Sequence, residues 1–252
     1  MIKSIVMLNI PMAHIAAMER WYWKSHCPEV VRRFGPWMTR HESYLPVDAP
    51  PKARAYGFFN WRVAEAWWRE LPEPGPSGTL SLTVPSIWPK LATCWVPAQP
   101  TEDFMGSEWE SHQKNVLRWY VLFKYPEGVP KDEGEKWFLN VHVPEMIKQR
   151  GLYRFFSYRV IKEVIPLPGE WPPTRMPPPE TVLHSWDRLS ELWYESFEDW
   201  RASVIKSPPS YTKPPWAKYD SYPFLEPFVD FVCSFLLERP NDEFLRDARG
   251  YL

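Results

Sequence analysis

The sequence of 252 residues is poor in cysteine and carries no excess of charge of either sign. Its three cysteines, Cys27, Cys94 and Cys233, are too few and too widely spaced for a disulfide framework or a zinc knuckle, so we expect a reducing compartment. The formal net charge is −1, whereas a nucleic-acid-binding protein usually has a basic excess. We therefore expect no nucleic-acid partner.

Long apolar runs are also missing. The longest one near the end of the chain, 228–237, is too short to cross a membrane as a helix and is interrupted by Asp230. The first residues, MIKSIVMLNIPMAH, contain Asn9 and Pro11 and lack the cleavage region of a secretory signal. These features predict a soluble, cytoplasmic protein with no membrane partner.

Motifs for nucleotides, metals and serine hydrolysis do not occur. The sequence has no G-x-G-x-x-G, no P-loop and no G-x-S-x-G. Its histidines show neither H-x3-H nor H-E-x-x-H spacing, which argues against a metal site. We expect no metal and no cofactor.

Proline and tryptophan, in contrast, are frequent, with 30 and 16 residues. The prolines cluster at 45–53, 71–78, 164–180 and 207–216, where they predict stiff loops because proline cannot occupy a central strand. Most of the tryptophans are expected in the core. So many rings also suit a pocket for a small apolar or aromatic molecule, which is the partner we expect.

One motif, W-x4-H-x-P-E, occurs twice. It is written WYWKSHCPE at 21–29 and WFLNVHVPE at 137–145, a separation of 116 residues (137 − 21). A second pair of segments, NWRVAEAWWRE and SWDRLSELWYE, shares two tryptophans and a glutamate. We interpret the chain as two copies of one module, covering 1–110 and 111–252.

Each copy is predicted to run strand–helix–strand–strand–helix–strand. The predicted elements are 3–10, 13–33, 38–47, 55–61, 64–71 and 91–98 in the first copy, and 117–125, 132–150, 152–162, 181–186, 187–204 and 226–237 in the second. This order is that of a ferredoxin-like unit, which leaves one sheet face uncovered. The predicted fold class is therefore α+β, with two ferredoxin-like βαββαβ units forming an intrachain pseudo-dimeric α+β barrel. We expect the protein to be either a monomer or a homodimer.

The sequence resembles the EthD-like branch of the dimeric α+β barrel superfamily. The features that carry this resemblance are the H-x-P motif, the glycine that follows it, the Trp-rich segment 189–200 and the spacing through 123–161. The resemblance implies an apolar pocket between sheet and helices in each unit, with His and Tyr side chains reaching in. It also implies cofactor-free acid–base chemistry on small ring compounds. The superfamily hosts isomerases, cyclases, decarboxylases, dehalogenases, monooxygenases and haem proteins, so the resemblance does not fix the reaction.

The repeated histidines, His26 and His142, are the first catalytic candidates. Glu29 and Glu145 follow three residues later on the same helical face, where a carboxylate would raise the pKa of the imidazole and orient it. The alternative is structural: Pro28 and Pro144 interrupt the helix, and a polar residue before such a break often binds the released backbone groups.

Further candidates lie on strands. Tyr158 or His184 would donate a hydrogen bond to a developing oxyanion. Strand alternation places His41 and Ser43 on one face, opposite Glu42 and Tyr44, but the sequence does not tell which face meets the pocket. The expected substrate-binding residues are His41, Trp119, Tyr120, Phe156 and Trp186.

These observations lead to one main hypothesis and two alternatives. The main one is a cofactor-independent lyase or isomerase acting on a small aromatic or polycyclic substrate, with His142 as the acid or base. The first alternative is a non-catalytic binding protein for an apolar compound. The second is a monooxygenase, either cofactor-free or with haem bound through His142.

Overall fold

The computed structural model describes residues 1–49, 51–70, 87, 89–106, 116–161, 182–183, 186–206, 210–237 and 239–245. In this part of the chain two β-sheets pack face to face, and helices cover their outer faces. No helix within these ranges is long and apolar enough to span a bilayer.

The elements of the first unit are β1 (Ile2–Asn9), a 3-10 turn (Met12–His14), α1 (Ile15–Trp21), a π-helical turn (Tyr22–His26), α2 (Cys27–Phe34), β2 (Met38–Tyr44), a 3-10 turn (Pro51–Tyr56), β3 (Arg62–Trp68), β4 (Lys90–Pro97) and β5 (Glu102–Asp103). The second unit contains β6 (Leu117–Phe123), α3 (Lys131–Trp137), a π-helical turn (Phe138–His142), α4 (Val143–Met146), β7 (Leu152–Arg159), β8 (Val182–Leu183), β9 (Arg188–Tyr194), α5 (Phe197–Trp200), a π-helical turn (Arg201–Lys206), β10 (Phe231–Leu237) and β11 (Asp242–Glu243).

Both sheets have the strand order of a ferredoxin-like unit. The first sheet has the order β11-β2-β3-β1-β4-β8, and the second has the order β10-β6-β9-β7-β5. Strands β6, β7, β9 and β10 thus take the same relative places as β1 to β4, and all neighbours within each set of four are antiparallel. The predicted fold class, a pseudo-dimeric α+β barrel on one chain, is confirmed.

Two predicted helices are wrong. The segments 64–71 and 187–204 are predicted as helices, but strands β3 and β9 occupy Arg62–Trp68 and Arg188–Tyr194, and the second helix of the second unit begins only at Phe197. Both strands are covered on both faces, so their apolar residues do not alternate with polar ones. A short apolar run without alternation does not distinguish strand from helix.

Two predicted strands also differ from the structure. Pro51–Tyr56 is a 3-10 turn, and the strand expected over 55–61 begins only at Arg62. Of the strand expected over 181–186, Val182–Leu183 pairs with β4 in the first sheet instead of joining its own unit, and 181, 184 and 185 lie outside the described residues.

The space between the sheets holds a buried cluster of four charged side chains. Lys3 and Glu65 come from the first sheet, Arg118 and Glu191 from the second. Arg118 lies 2.8 Å from Glu191 and 3.4 Å from Glu65, while Lys3 lies 3.5 Å from Glu65 and 3.9 Å from Glu191. Burial alone would raise the pKa of Glu65, but the two cations hold it below its usual value. Because each cation contacts both carboxylates, the cluster links the two units.

Each unit also sends a short arm to the edge of the other unit's sheet. Strand β5 pairs with β7, and β11 pairs with β2. The arms are similar in sequence, EDF at 102–104 and DEF at 242–244. Phe104 packs on Phe155 with ring centroids 4.8 Å apart, and Phe244 packs on His41 at 4.9 Å. The arms therefore close the helix–sheet interface of the opposite unit.

A buried arginine fastens each arm. Arg188 is fully buried and lies 2.8 Å from Glu102 of the arm and 2.6 Å from Glu135 of α3. The equivalent Arg62 lies 3.3 Å from Asp242 of the other arm and 2.6 Å from Glu19 of α1. Glu19 and Glu135, which lie 116 residues apart like the two W-x4-H-x-P-E motifs, thus bind the arginine that fastens the arm in each unit.

Candidate active site

The repeated W-x4-H spacing has a geometric cause. In each unit the five residues that end at the histidine form a π-helical turn, Tyr22–His26 or Phe138–His142. The wider turn brings the residue five positions earlier beside the histidine, and the rings of Trp137 and His142 stack with centroids 4.9 Å apart. Trp21 and His26 lie 4.8 Å apart in the same way. The motif therefore positions an imidazole against an indole.

The proline after each histidine is compatible with this irregular helix. Pro28 and Pro144 stand in the first turn of α2 and α4, where a missing backbone N–H is tolerated. The structural part of the sequence prediction, an irregularity at the H-x-P motif, is thus observed. It takes the form of a wider turn, and the imidazole itself points into the helix–sheet interface.

His142 is buried and neutral. It is 8% exposed, and its Nδ1 has no hydrogen-bond partner among the described residues. Burial lowers the pKa of His142 to about 3, because the charged imidazolium would lose its hydration. Buried polar atoms usually have a hydrogen-bond partner, so the Nδ1 of His142 has the capacity to bind a ligand.

A cavity of about 40 Å³ adjoins His142 between the second sheet and its helices. Its walls are almost entirely aromatic and aliphatic: Trp119, Val121, Phe123, Trp137, Phe138, Met146, Phe155, Ser190, Leu192, Tyr222, Pro223, Leu225 and Phe231. The Nε1 of Trp137 also has no partner among the described residues. The cavity is therefore a mainly apolar space into which one imidazole, that of His142, is exposed.

A larger cleft of about 540 Å³ lies on the other side of one wall. Tyr222, Pro223 and Leu225 line both spaces, so this short segment separates them. Tyr56 and Tyr219 line the cleft but not the cavity. This segment therefore lies between the cavity beside His142 and the cleft.

A network of hydrogen bonds centred on Gln149 fixes the position of Tyr211 near His142. Gln149, which is 5% exposed, donates to the hydroxyl of Tyr211. Its carbonyl oxygen accepts from Tyr194 at 2.7 Å and from Ser203 at 3.1 Å. Because every polar atom of the Gln149 amide has a partner, the network fixes the position of the Tyr211 ring beside the cavity.

The first unit places a second histidine at the equivalent site. His41 of β2 and His26 are close enough to interact electrostatically, and the Nδ1 atoms of both lack partners among the described residues. Burial lowers the pKa of His26 to about 4, while Glu29 opposes the shift. Burial and the neighbouring His26 lower the pKa of His41 to about 3. In the second unit Phe155 stands where His41 does.

Glu145 does not orient His142, and this part of the sequence prediction is corrected. Its carboxylate accepts from the backbone N–H of Thr212 at 2.9 Å and from the Thr212 hydroxyl at 2.6 Å. The chain after α5 thus captures a carboxylate that the sequence places beside the histidine. Glu29 keeps an electrostatic contact with His26 and lies 3.2 Å from Arg33.

Several predicted site residues lie on the other side of the sheet. Tyr120, Phe156, Tyr158 and Trp186 belong to the cluster between the two sheets, and Trp119 alone of the predicted second-unit binding residues lines the cavity. The hydroxyl of Tyr158 lies 3.4 Å from Lys3 and 3.5 Å from Glu191, so it cannot serve an oxyanion beside His142. His184 lies outside the described residues.

The sequence prediction misses the residues that close the site. Gln149, Tyr211 and Tyr222 carry no motif, and two of them lie in the loop before β10. The one available signal is the cluster of prolines and tyrosines at 207–223, which indicates a stiff aromatic loop but not its docking place.

The comparison with known families gives one match. Residues 1–85, about a third of the chain, match the model of the chalcone isomerase N-terminal domain. The matched region contains His26, Glu29 and His41. No curated protein matches the chain at a significant level. The match supports a fold like that of chalcone isomerase in the first unit and does not name the EthD-like branch.

Proposed function

We propose that the protein is a cofactor-independent isomerase that closes a ring, or moves a proton, within a small aromatic substrate. Two observations support this proposal. The first unit is similar to a domain of chalcone isomerase, and the second unit presents to an aromatic cavity a buried, neutral imidazole whose Nδ1 has no partner among the described residues. The second of these carries the proposal, because it supplies both an acid–base group and a place for a ring.

The chemistry needs no co-reactant. When a hydroxyl group adds across a conjugated double bond of its own molecule, a C–O bond forms at one carbon and the hydroxyl proton ends on the neighbouring carbon. A neutral imidazole can accept that proton and return it. The lowered pKa of His142 means that the imidazole is neutral before the reaction, as a proton acceptor must be.

Two sites compete for this role. The second unit offers the cavity beside His142 and the neighbouring cleft. The first unit offers two neighbouring imidazoles, His26 and His41, and it is the unit that the family match covers. We assign the reaction to His142, and His26 is the alternative.

Replacing single histidines by phenylalanine tests the assignment, since phenylalanine keeps the stacked ring and removes the nitrogen atoms. With a 2′-hydroxychalcone as substrate, we expect His142→Phe to lower the rate about 100-fold or more, and His26→Phe to lower it little. The reverse result would move the reaction to the first unit. If neither variant changes the rate, the acid–base proposal fails.

A binding protein without turnover is the second candidate function. One observation favours it: apart from His142, the walls of the cavity are almost wholly apolar, so they offer few groups for chemistry. In that case the purified protein binds the chalcone, which a fluorescence titration detects, and both variants bind it equally without converting it.

We also propose that the two units arose by tandem duplication, with the boundary at 1–110 and 111–252, from an ancestor with the EthD-like spacing. The support is the equivalence of the two π-helical turns, the two arm-fastening arginines and the two arms.

A further inference from the structure

The aromatic ring of Tyr222 sits where a ligand ring would bind. Its ring stacks on His142, with centroids 5.7 Å apart and planes inclined by 21°, and on Tyr211, at 4.4 Å and 30°. Planar rings at these distances are attracted to each other beyond the burial of their area. The protein therefore already shows one phenol bound over the imidazole, and that phenol is its own side chain.

The hydroxyl group of Tyr222 is held weakly. Its one hydrogen-bond contact among the described residues is the thioether sulfur of Met146, at 3.8 Å, and a thioether is a weak acceptor. By contrast, the amide of Gln149 binds the hydroxyl of Tyr211. Tyr211 is thus fixed in place, whereas Tyr222 can leave without breaking a strong bond.

The backbone around Tyr222 is strained. Phe224 and Phe228 both have φ of 64°, a left-handed conformation that costs a bulky residue about 1–3 kcal/mol. Two such residues within seven positions indicate a segment that its surroundings hold in place. A change in what Tyr222 contacts can release it.

The volumes of the cavity and of the cleft are compatible with a ligand that displaces the Tyr222 side chain. The cavity of about 40 Å³ beside His142 is smaller than the order of 150 Å³ that a buried benzene-binding cavity offers. A ring cannot enter beside Tyr222. The cleft of about 540 Å³ on the other side of the segment has room for the displaced side chain or for the rest of a ligand.

We propose that the position of the Tyr222 ring, between His142 and Tyr211, is the ring-binding subsite of the second unit, and that a ligand with a planar aromatic ring binds by displacing Tyr222. The catalytic meaning of the subsite rests on the proposed function, but its binding does not. Tyr222 thereby selects ligands: a ring that stacks replaces it, and an aliphatic group of the same size does not.

The test uses p-cresol, which is the side chain of tyrosine as a separate molecule, and the Tyr222→Ala variant of the full chain. Calorimetry should show that the variant binds p-cresol at least tenfold more tightly than the unchanged protein does. The ring signals of His142 should shift on binding in a nuclear magnetic resonance spectrum. 4-Methylcyclohexanol, equal in size but not planar, should bind at least tenfold more weakly than p-cresol.

Two variants serve as controls. Tyr219 lines the cleft but not the cavity, so Tyr219→Ala should bind p-cresol like the unchanged protein. Tyr222→Phe keeps the ring and should also behave like the unchanged protein. If Tyr222→Ala does not fold, Tyr222→Leu, which keeps apolar volume without an aromatic ring, should show the same preference for p-cresol.

Equal binding of p-cresol by Tyr222→Ala and Tyr219→Ala would overturn the subsite, and so would equal binding of the saturated analogue. The proposed function fails separately. If p-cresol binds as expected but no histidine variant changes turnover, the subsite stands and the isomerase assignment falls.

Discussion

The two repeated histidines are alike in their rings but differ in their charged neighbours. Each packs on the tryptophan five residues earlier; His142 is buried and His26 is partly buried. Glu29 acts on His26, whereas Glu145 is bound by Thr212. The sequence predicts both pairs equally, because spacing on a helix does not reveal which third group competes for a carboxylate.

Matched substitutions of the two glutamates should separate these environments. We expect Glu29→Gln to lower the pKa of His26 below its value of about 4, since the carboxylate that opposes the effect of burial is removed. Glu145→Gln should leave the pKa of His142 unchanged. Histidine ring signals followed through an acid titration measure both. Equal shifts in the two variants would show that Glu145 does act on His142.

At the scale of elements, the arms are held by charge as well as by ring packing. Arg188 and Arg159 both bind Glu102, yet Arg188 is fully buried and the side chain of Arg159 is 51% exposed. A buried ion pair that loses one partner leaves an uncompensated charge, while an exposed pair contributes little because water screens it.

Arg188→Met should therefore lower the free energy of unfolding by about 3–5 kcal/mol, and Arg159→Met by less than about 1 kcal/mol. Urea unfolding of the two variants measures the difference. The pair is matched, since both substitutions remove an arginine that contacts Glu102. A similar loss in both would mean that the arm is not fastened by the buried arginine.

The elements also show what the sequence can and cannot predict. The helix with its H-x-P motif and the outer strands follow from local patterns. Strands β3 and β9 do not, because VAEAWW and LSELWY contain good helix formers and become strands only by being covered on both faces. The arms are missed because two residues of strand carry no periodicity, although EDF and DEF repeat.

At the scale of the whole molecule, three histidines with lowered pKa values contribute to how the fold responds to acid. His26, His41 and His142 have pKa values of about 4, 3 and 3, below the value of about 6.5 in an unfolded chain. Their folded pKa values are depressed, so the unfolded state binds more protons below pH 6.5. Their contribution to stability is complete above that pH and is lost as the pH falls towards 3 to 4.

Each of the three histidines should cost about 2 kcal/mol of stability between neutral pH and pH 5, where the carboxylates still change little. His142→Phe should reduce the total loss over this interval by about 2 kcal/mol. Urea unfolding at pH 7 and pH 5 measures the free energy of unfolding of the variant and of the unchanged protein, and so tests this prediction. An unchanged pH dependence in the variant would show that His142 is already charged, or accessible to water, in the folded protein.

Because the arms are exchanged, truncating the C-terminal arm should disturb the first unit and not the second. A chain that stops before Asp242 keeps every residue around His142 but loses the phenylalanine that covers His41 and the carboxylate that meets Arg62. A truncation at the C-terminal end would thus change the surroundings of residues in the first unit. In such a shortened protein, ring binding beside His142 would persist while water reached His41.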